Sequence, residues 1–249
     1  MPPRYPLPLP PLLRLGWAIL RKEKLSFRSE ACDAARWLRP PIKVEGHEHI
    51  PNSGPCLVTI NHFSRAGFYS VWLTLSVSSV VPVDIHWVIS AAWTFRERPA
   101  LKRLTPLSRW VFCRLSQVYS FTTMPPMPPD PADTAARARA VRRVLETIRC
   151  TPGGVIGLAP EGQDSPDGVL QRPHPGVGRF LTLLADAGLR FLPVGIFEEN
   201  NALHLRFGPG YRLEAPPGLS AEQRDLQASQ IVMKAIACQL PPHMRGEFG

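Results

Sequence analysis

Apolar and polar positions fall along this chain in two kinds of block. The first kind is short, rich in β-branched residues and bounded by Gly, Pro or polar turns: Ile42-Lys43-Val44-Glu45-Gly46, Cys56-Leu57-Val58-Thr59-Ile60, Val80 to Ser90, Gly154 to Leu158, Phe191 to Phe197 and Leu203 to Phe207. Such runs predict strands, because branched side chains suit a pleated, half-buried surface and Gly/Pro clusters end it. The second kind carries apolar residues at helical spacing: Leu12 to Leu25, Phe63 to Ser79, parts of Trp93 to Arg114, Ala135 to Arg149, Gly178 to Ala187 and Ala221 to Leu240. The last opens on Ser220 with Gln223 three residues later, the spacing of a capping box. Strand and helix in succession predict a single α/β domain, a mostly parallel central sheet flanked by helices, with an N-terminal amphipathic helix.

The pattern also suggests divisions. Residues 1–11 are Pro-rich and are expected to be an extended lead-in, since six prolines oppose helix. Residues 12–40 read as a helical region, and 41–249 as the α/β domain. Leu12 to Leu25 mixes Leu12, Leu13, Leu15, Trp17, Ile19 and Leu20 with Arg14, Arg21, Lys22 and Lys24. That pattern fits a helix lying in a bilayer interface or one packed on the domain. Phe68, Val71, Trp72 and Leu75 are expected in the core, with Ser64 near the cap of their helix and Asp84 as an edge or turn carboxylate. Met124 to Asp133, with five prolines, is expected to be a loop.

Composition narrows the partners. The chain has 249 residues and a formal charge of 29 − 20 = +9, which suits an anionic membrane surface or an anionic substrate. Its cations are scattered, without the Lys/Arg blocks interleaved with aromatics that mark a nucleic-acid groove, so nucleic acid is not an expected partner. The five cysteines, Cys32, Cys56, Cys113, Cys150 and Cys238, include no Cys-x-x-Cys pair. A reducing, cytoplasmic setting without disulfides or zinc is expected, with Cys56 and Cys113 in the core. His47 and His49 lack a nearby third ligand, so no metal is expected. No secretory signal is read at the N-terminus, and nowhere do about eighteen apolar residues run together. Any membrane contact would be peripheral, at the inner face.

The candidate chemistry lies where strands end. Asn61-His62-Phe63-Ser64 follows the Cys56–Ile60 run, and a histidine at the carboxyl end of a strand in an open α/β sheet is well placed for a general base. Further on stand Ala159-Pro160-Glu161-Gly162 and Leu192-Pro193-Val194-Gly195-Ile196. In this order the three stretches resemble the glycerol-phosphate and lysophospholipid acyltransferase superfamily, whose motifs are Asn-His-x-x-x-x-Asp, Pro-Glu-Gly and an apolar strand with Val/Leu-Pro-Val. The resemblance runs from about Val44 to Leu213. It implies transfer of a fatty acyl group from an acyl-CoA or acyl-carrier-protein thioester to a glycerolipid or lysophospholipid hydroxyl. His62 would be the base, with Asn61, Ser64, Glu161 and Gly162 at the acceptor site. The thioester is a co-substrate, and no cofactor or metal is implied.

The chain departs from the family pattern at three points. Gly67 stands where the family's aspartate orients the histidine, Gln163-Asp164 stand where Thr/Ser-Arg follows Pro-Glu-Gly, and Thr122 follows Phe121 where an arginine ends the second motif, here Gln117 to Phe121. Asp164 would repel a phosphate, which leaves Arg172, Arg179 or His174 as candidate anion contacts. Ser64, Ser70, a water or a distant carboxylate would have to orient His62. Two other classes follow from the same residues. One is a non-catalytic relative that keeps the lipid groove, for which Gly67 is the argument. The other is a hydrolase using Ser64 or Ser70, which the absence of a Gly-x-Ser-x-Gly elbow disfavours.

Overall fold

Where the apolar runs end decides how the sheet is laid out. The computed structural model describes residues 5–6, 9–94, 99–165, 167–214, 216 and 218–249. Its strands are β1 (Lys43–Glu45), β2 (Cys56–Ile60), β3 (Ile85–Ser90), β4 (Thr122–Met124), β5 (Val155–Leu158), β6 (Arg190–Glu199) and β7 (Ala202–Phe207). They form one sheet in the order β1-β7-β6-β2-β5-β3-β4. The block from β6 to β4 is parallel throughout. β7 folds back antiparallel on β6, and β1 runs parallel to β7. All five residues of β2 are buried, as a central parallel strand covered on both faces requires.

The helices are α1 (Leu9–Arg21), α2 (Phe27–Ala35), α3 (Val71–Val80), α4 (Thr105–Val118), α5 (Thr134–Cys150), α6 (Val177–Asp186) and α7 (Ala221–Ala237). They flank the sheet, so the chain is a single α/β domain with a mostly parallel sheet and an N-terminal helix. The capping box of α7 is present: Gln223 N–H donates to Ser220 Oγ, and Ser220 N–H donates to the Gln223 side chain.

Several elements differ from expectation, each for a local reason. Helix α1 starts at Leu9, inside the expected extended lead-in, because Pro10 and Pro11 occupy its first turn, where no backbone donor is required. Residues 1–4 and 7–8 of that lead-in, and 95–98 of the Trp93–Arg114 stretch, lie outside the described residues. Helix α2 is a separate element, capped by Ser26, whose Oγ accepts from Ser29 N–H. Asp84 anchors it, accepting from Ser26 Oγ at 2.9 Å and from Arg28 N–H at 3.2 Å.

Helix α3 begins at Val71 rather than near Phe63, with Ser70 and not Ser64 in the capping position. Residues 62–64 are instead held against the loop that follows β5, and Asn61 and Arg65 against β6. Phe68, Trp72 and Leu75 are buried as expected, whereas Val71 is 39% exposed. Strand pairing beyond α4 starts at Thr122, because α4 continues to Val118 and Ser120 turns the chain with φ 57°. Cys56 is buried, but Cys113 is exposed. Of the residues of α4 only Ser108 and Val118 are buried, so its Leu107 and Trp110 face solvent with Cys113.

Candidate active site

The central pair β2 and β5 delivers two loops to the same end of the sheet. The register is Thr59 opposite Leu158, and the pairing continues past the strands: Ser165 N–H donates to the His62 carbonyl, and Ser64 N–H donates to the Ser165 carbonyl. His62 therefore sits outside the carboxyl ends of two adjacent parallel strands, with β6 on the other side of β2. This is where open α/β sheets form their ligand crevices.

Three side chains pin the segment that carries His62. Asn61 is buried, and its amide takes over the ladder to β6, Nδ2 donating to the Ile196 carbonyl at 2.9 Å and Oδ1 accepting from Ile196 N–H at 2.7 Å. Glu161 is wholly buried; Oε1 accepts from His62 N–H at 2.5 Å and Oε2 from Gln171 N–H at 2.7 Å. Burial pushes the Glu161 carboxyl up to about 7, against the lowering effect of the two N–H groups. Arg65 forms a two-toothed pair with Glu198 of β6, Nε to Oε2 at 2.5 Å and Nη2 to Oε1 at 2.6 Å. Tyr5 donates its hydroxyl to the same carboxylate, and its ring packs edge-on against Phe68 at 4.7 Å. Burial and the neighbouring Glu198 charge hold the Tyr5 phenol well above its usual range.

The His62 side chain is 24% exposed, but its Nδ1 is buried. Exposure therefore falls on the rest of the ring. Asp164 Oδ1 stands 3.0 Å from Nδ1. The contact has the length of a hydrogen bond without its alignment, and Nδ1 has no other partner among the described residues. The imidazole beside it lowers the Asp164 carboxyl from its ordinary value. The Asp164 carboxylate, expected to repel an acceptor phosphate, stands beside the His62 ring.

The other expected residues are placed as follows. Gly162 adopts φ +67°, its N–H donates to the Ala159 carbonyl, and a Cβ on it would come within 2.9 Å of Met127 Cγ. Ser64 is half-buried beside the Ser165 backbone. Arg172 is paired with Glu247 at 2.5 Å, both side chains largely exposed. The Arg179 backbone N–H donates to Asp225 Oδ1 at the start of α6, while its side chain is exposed. His174 Nε2 lies 3.0 Å from Gln163 Oε1. The structure thus brings His62, Asn61, Glu161 and Asp164 together, with Arg65, Glu198 and Tyr5 as supports that the sequence pattern did not single out.

A buried glutamate clamping the backbone of a strand-end histidine, in a mostly parallel sheet, defines an α/β protein with an imidazole presented at the carboxyl end of its central strands. The acyltransferase family model matches residues 41–197, well over half of the chain, and the chain belongs to that family. Among solved structures it is similar to the 1-acyl-sn-glycerophosphate (LPA) acyltransferase PlsC from Thermotoga maritima, with TM-score 0.51 and 17% identity over 92% of this chain and 83% of that chain. No curated protein matches the chain.

Proposed function

We propose that this acyltransferase moves a fatty acyl group from an acyl-CoA or acyl-carrier-protein thioester to the hydroxyl of a glycerolipid or lysophospholipid, with His62 as general base. The observation that carries the reading is the partly exposed imidazole at the carboxyl end of β2, its backbone fixed by buried Glu161 and its Nδ1 buried beside Asp164. The exposed part of the ring takes the acceptor's hydroxyl proton as the oxygen attacks the thioester carbonyl. Collapse of the tetrahedral adduct expels the thiolate, which recovers the proton. No cofactor enters this scheme beyond the thioester co-substrate.

Glu161 acts here on the backbone of His62 and Gln171, so its effect on the acceptor passes through the loops it joins. For an anionic acceptor, the Arg179 guanidinium is the freer of the two expected arginines, being exposed and in no ion pair among the described residues. Arg172 is already engaged, although an exposed pair of that kind is held weakly and a phosphate would compete for it.

The test is thiol release from a long-chain acyl-CoA, and separately from an acyl-carrier protein, by the purified chain with and without a lysophospholipid mixture. Acceptor-dependent release with formation of the diacyl product is expected. Release that ignores the acceptor would mean hydrolysis, and silence with both donors would favour the relative that has lost turnover.

The same reading places the protein at the inner membrane face. No described helix is long and apolar enough to cross a bilayer. Helix α1 nevertheless exposes Leu9, Leu12, Leu13, Trp17 and Leu20, with Arg21 stacked over Trp17 at 4.3 Å from the ring centroid. Arg14 is turned instead to Glu30 and Asp33. Burying each large apolar side chain is worth about 1.5–3 kcal/mol, so two of them matter. Trp17→Ser with Leu20→Ser should reduce co-sedimentation with anionic vesicles at least about tenfold, leaving the melting temperature unchanged. Undiminished sedimentation would place the contact elsewhere. Substitution is preferable to deleting the segment, because Lys24 and Leu25 bond to the end of α4.

A further inference from the structure

We infer that Asp164 is the positioning residue that orients the His62 imidazole, a carboxylate supplied by the loop after β5 instead of by the segment following the histidine. The inference rests on the acyl-transfer reading for its kinetic consequence, but on geometry for its substance. Five residues beyond His62 stands Gly67, which carries no side chain, adopts φ +79° and is exposed. Among the described residues, no side chain of its own segment hydrogen-bonds Nδ1. That atom is buried and its neighbour is Asp164 Oδ1 at 3.0 Å.

The loop bearing Asp164 is not free to wander. On one side Glu161 is clamped to His62 N–H, and on the other Ser165 exchanges backbone hydrogen bonds with His62 and Ser64. Ser165 Oγ in turn donates to the Val169 carbonyl at 2.5 Å, and Asp167 Oδ1 accepts from Val169 N–H. Asp164 thus stands between two residues that are both tied to the backbone around His62. A carboxylate 3.0 Å from Nδ1 favours a proton on that nitrogen over Nε2, so the neutral ring is expected to carry its proton on Nδ1 and to leave Nε2 with the basic lone pair. The Asp164 side chain is 62% exposed, so water screens its charge and its contribution is orientation more than electrostatic stabilisation.

The decisive experiment combines kinetics with a readout independent of turnover. The full chain, labelled with ¹⁵N-histidine, is studied in alkaline buffer where an imidazole is neutral, and His62→Ala identifies the His62 ring signals. Wild type should carry the proton on Nδ1, and Asp164→Asn should shift the ring toward a mixture of tautomers. In the acyl-transfer assay Asp164→Asn should lower kcat on the order of a hundredfold, short of the roughly ten-thousandfold loss for a buried triad carboxylate, with both KM values within about threefold.

A wild-type ring protonated on Nε2 overturns the proposal whatever the variant does. So does an Asp164→Asn protein that keeps kcat and lowers only the KM of a phosphate-bearing acceptor, because Asp164 would then merely repel that acceptor. A wild type without turnover, but with an Nδ1 proton that responds to Asp164→Asn, keeps the positioning role and removes the acyl-transfer reading. Turnover and tautomer both indifferent to Asp164→Asn would do the reverse.

Discussion

His62→Ala is expected to lower acceptor-dependent thiol release by a factor of about 10² to 10⁴, the range a positioned general base supplies. The fold should be unaffected. The imidazole is partly exposed, its polar contact is with Asp164, and the bond from residue 62 to Glu161 is made by the backbone, which alanine retains. Truncation of such a side chain, away from the packed core, should change stability by less than about 1 kcal/mol. KM for the thioester should hold, since a base acts on the proton in flight and not on the ground-state donor. The measurement is steady-state thiol release beside a melting curve. An unchanged rate in a folded variant would remove His62 as the base, and a lost rate with a lost transition would show that position 62 serves the fold.

The parts of this fold that could be read from the chain are those whose local signals agree with one another. Cys56 to Ile60 is apolar, β-prone and bounded by a turn, and it forms the buried centre of the sheet. The helix at the C-terminal end announces its start through Ser220 and Gln223. His62 was legible for the same reason: a polar residue directly after such a strand has to lie at the sheet's carboxyl edge.

What escaped the sequence was set by contacts between distant segments. Nothing in Gln163-Asp164 says that its carboxylate meets a ring carried by a different strand; that follows from β2 and β5 being neighbours in register. The same holds for Glu161, whose two backbone partners lie on separate loops, and for Tyr5, which meets Glu198 across the fold. Helix ends misled where one residue type obeys opposite rules by position. Pro10 and Pro11 would break a helix interior but open α1. Apolar context misled in α4, where Cys113 is exposed although its run suggested a core position.

Glu161 yields the largest effect on stability, and it carries a pH signature. Its two oxygens satisfy two buried N–H groups, so Glu161→Ala orphans both and should destabilise the chain by about 2–6 kcal/mol, at about 1–3 for each group. Glu161→Gln keeps one acceptor but turns an NH₂ toward the other donor, which costs about half as much and lets the His62 backbone shift, so transfer should fall with it.

The ionisation then separates wild type from the Gln variant. The folded carboxyl titrates near 7, above its ordinary 4.5, so the native state binds a proton that the unfolded chain has released between those values. Stability from this group is full below about 4.5 and is lost as pH rises through about 7, by up to about 1.4 kcal/mol per pH unit and about 3 kcal/mol across the window. Glu161→Gln cannot titrate, so its denaturant midpoint should fall less than that of wild type over the same range. The gap between the two proteins should therefore narrow toward neutral pH. Parallel pH profiles would mean that the carboxyl is hydrated in solution and that its clamp on His62 is looser than the buried pair of N–H bonds requires. A narrowing gap with transfer still depressed would show that Glu161 supports activity through the geometry of the His62 backbone and not through its charge.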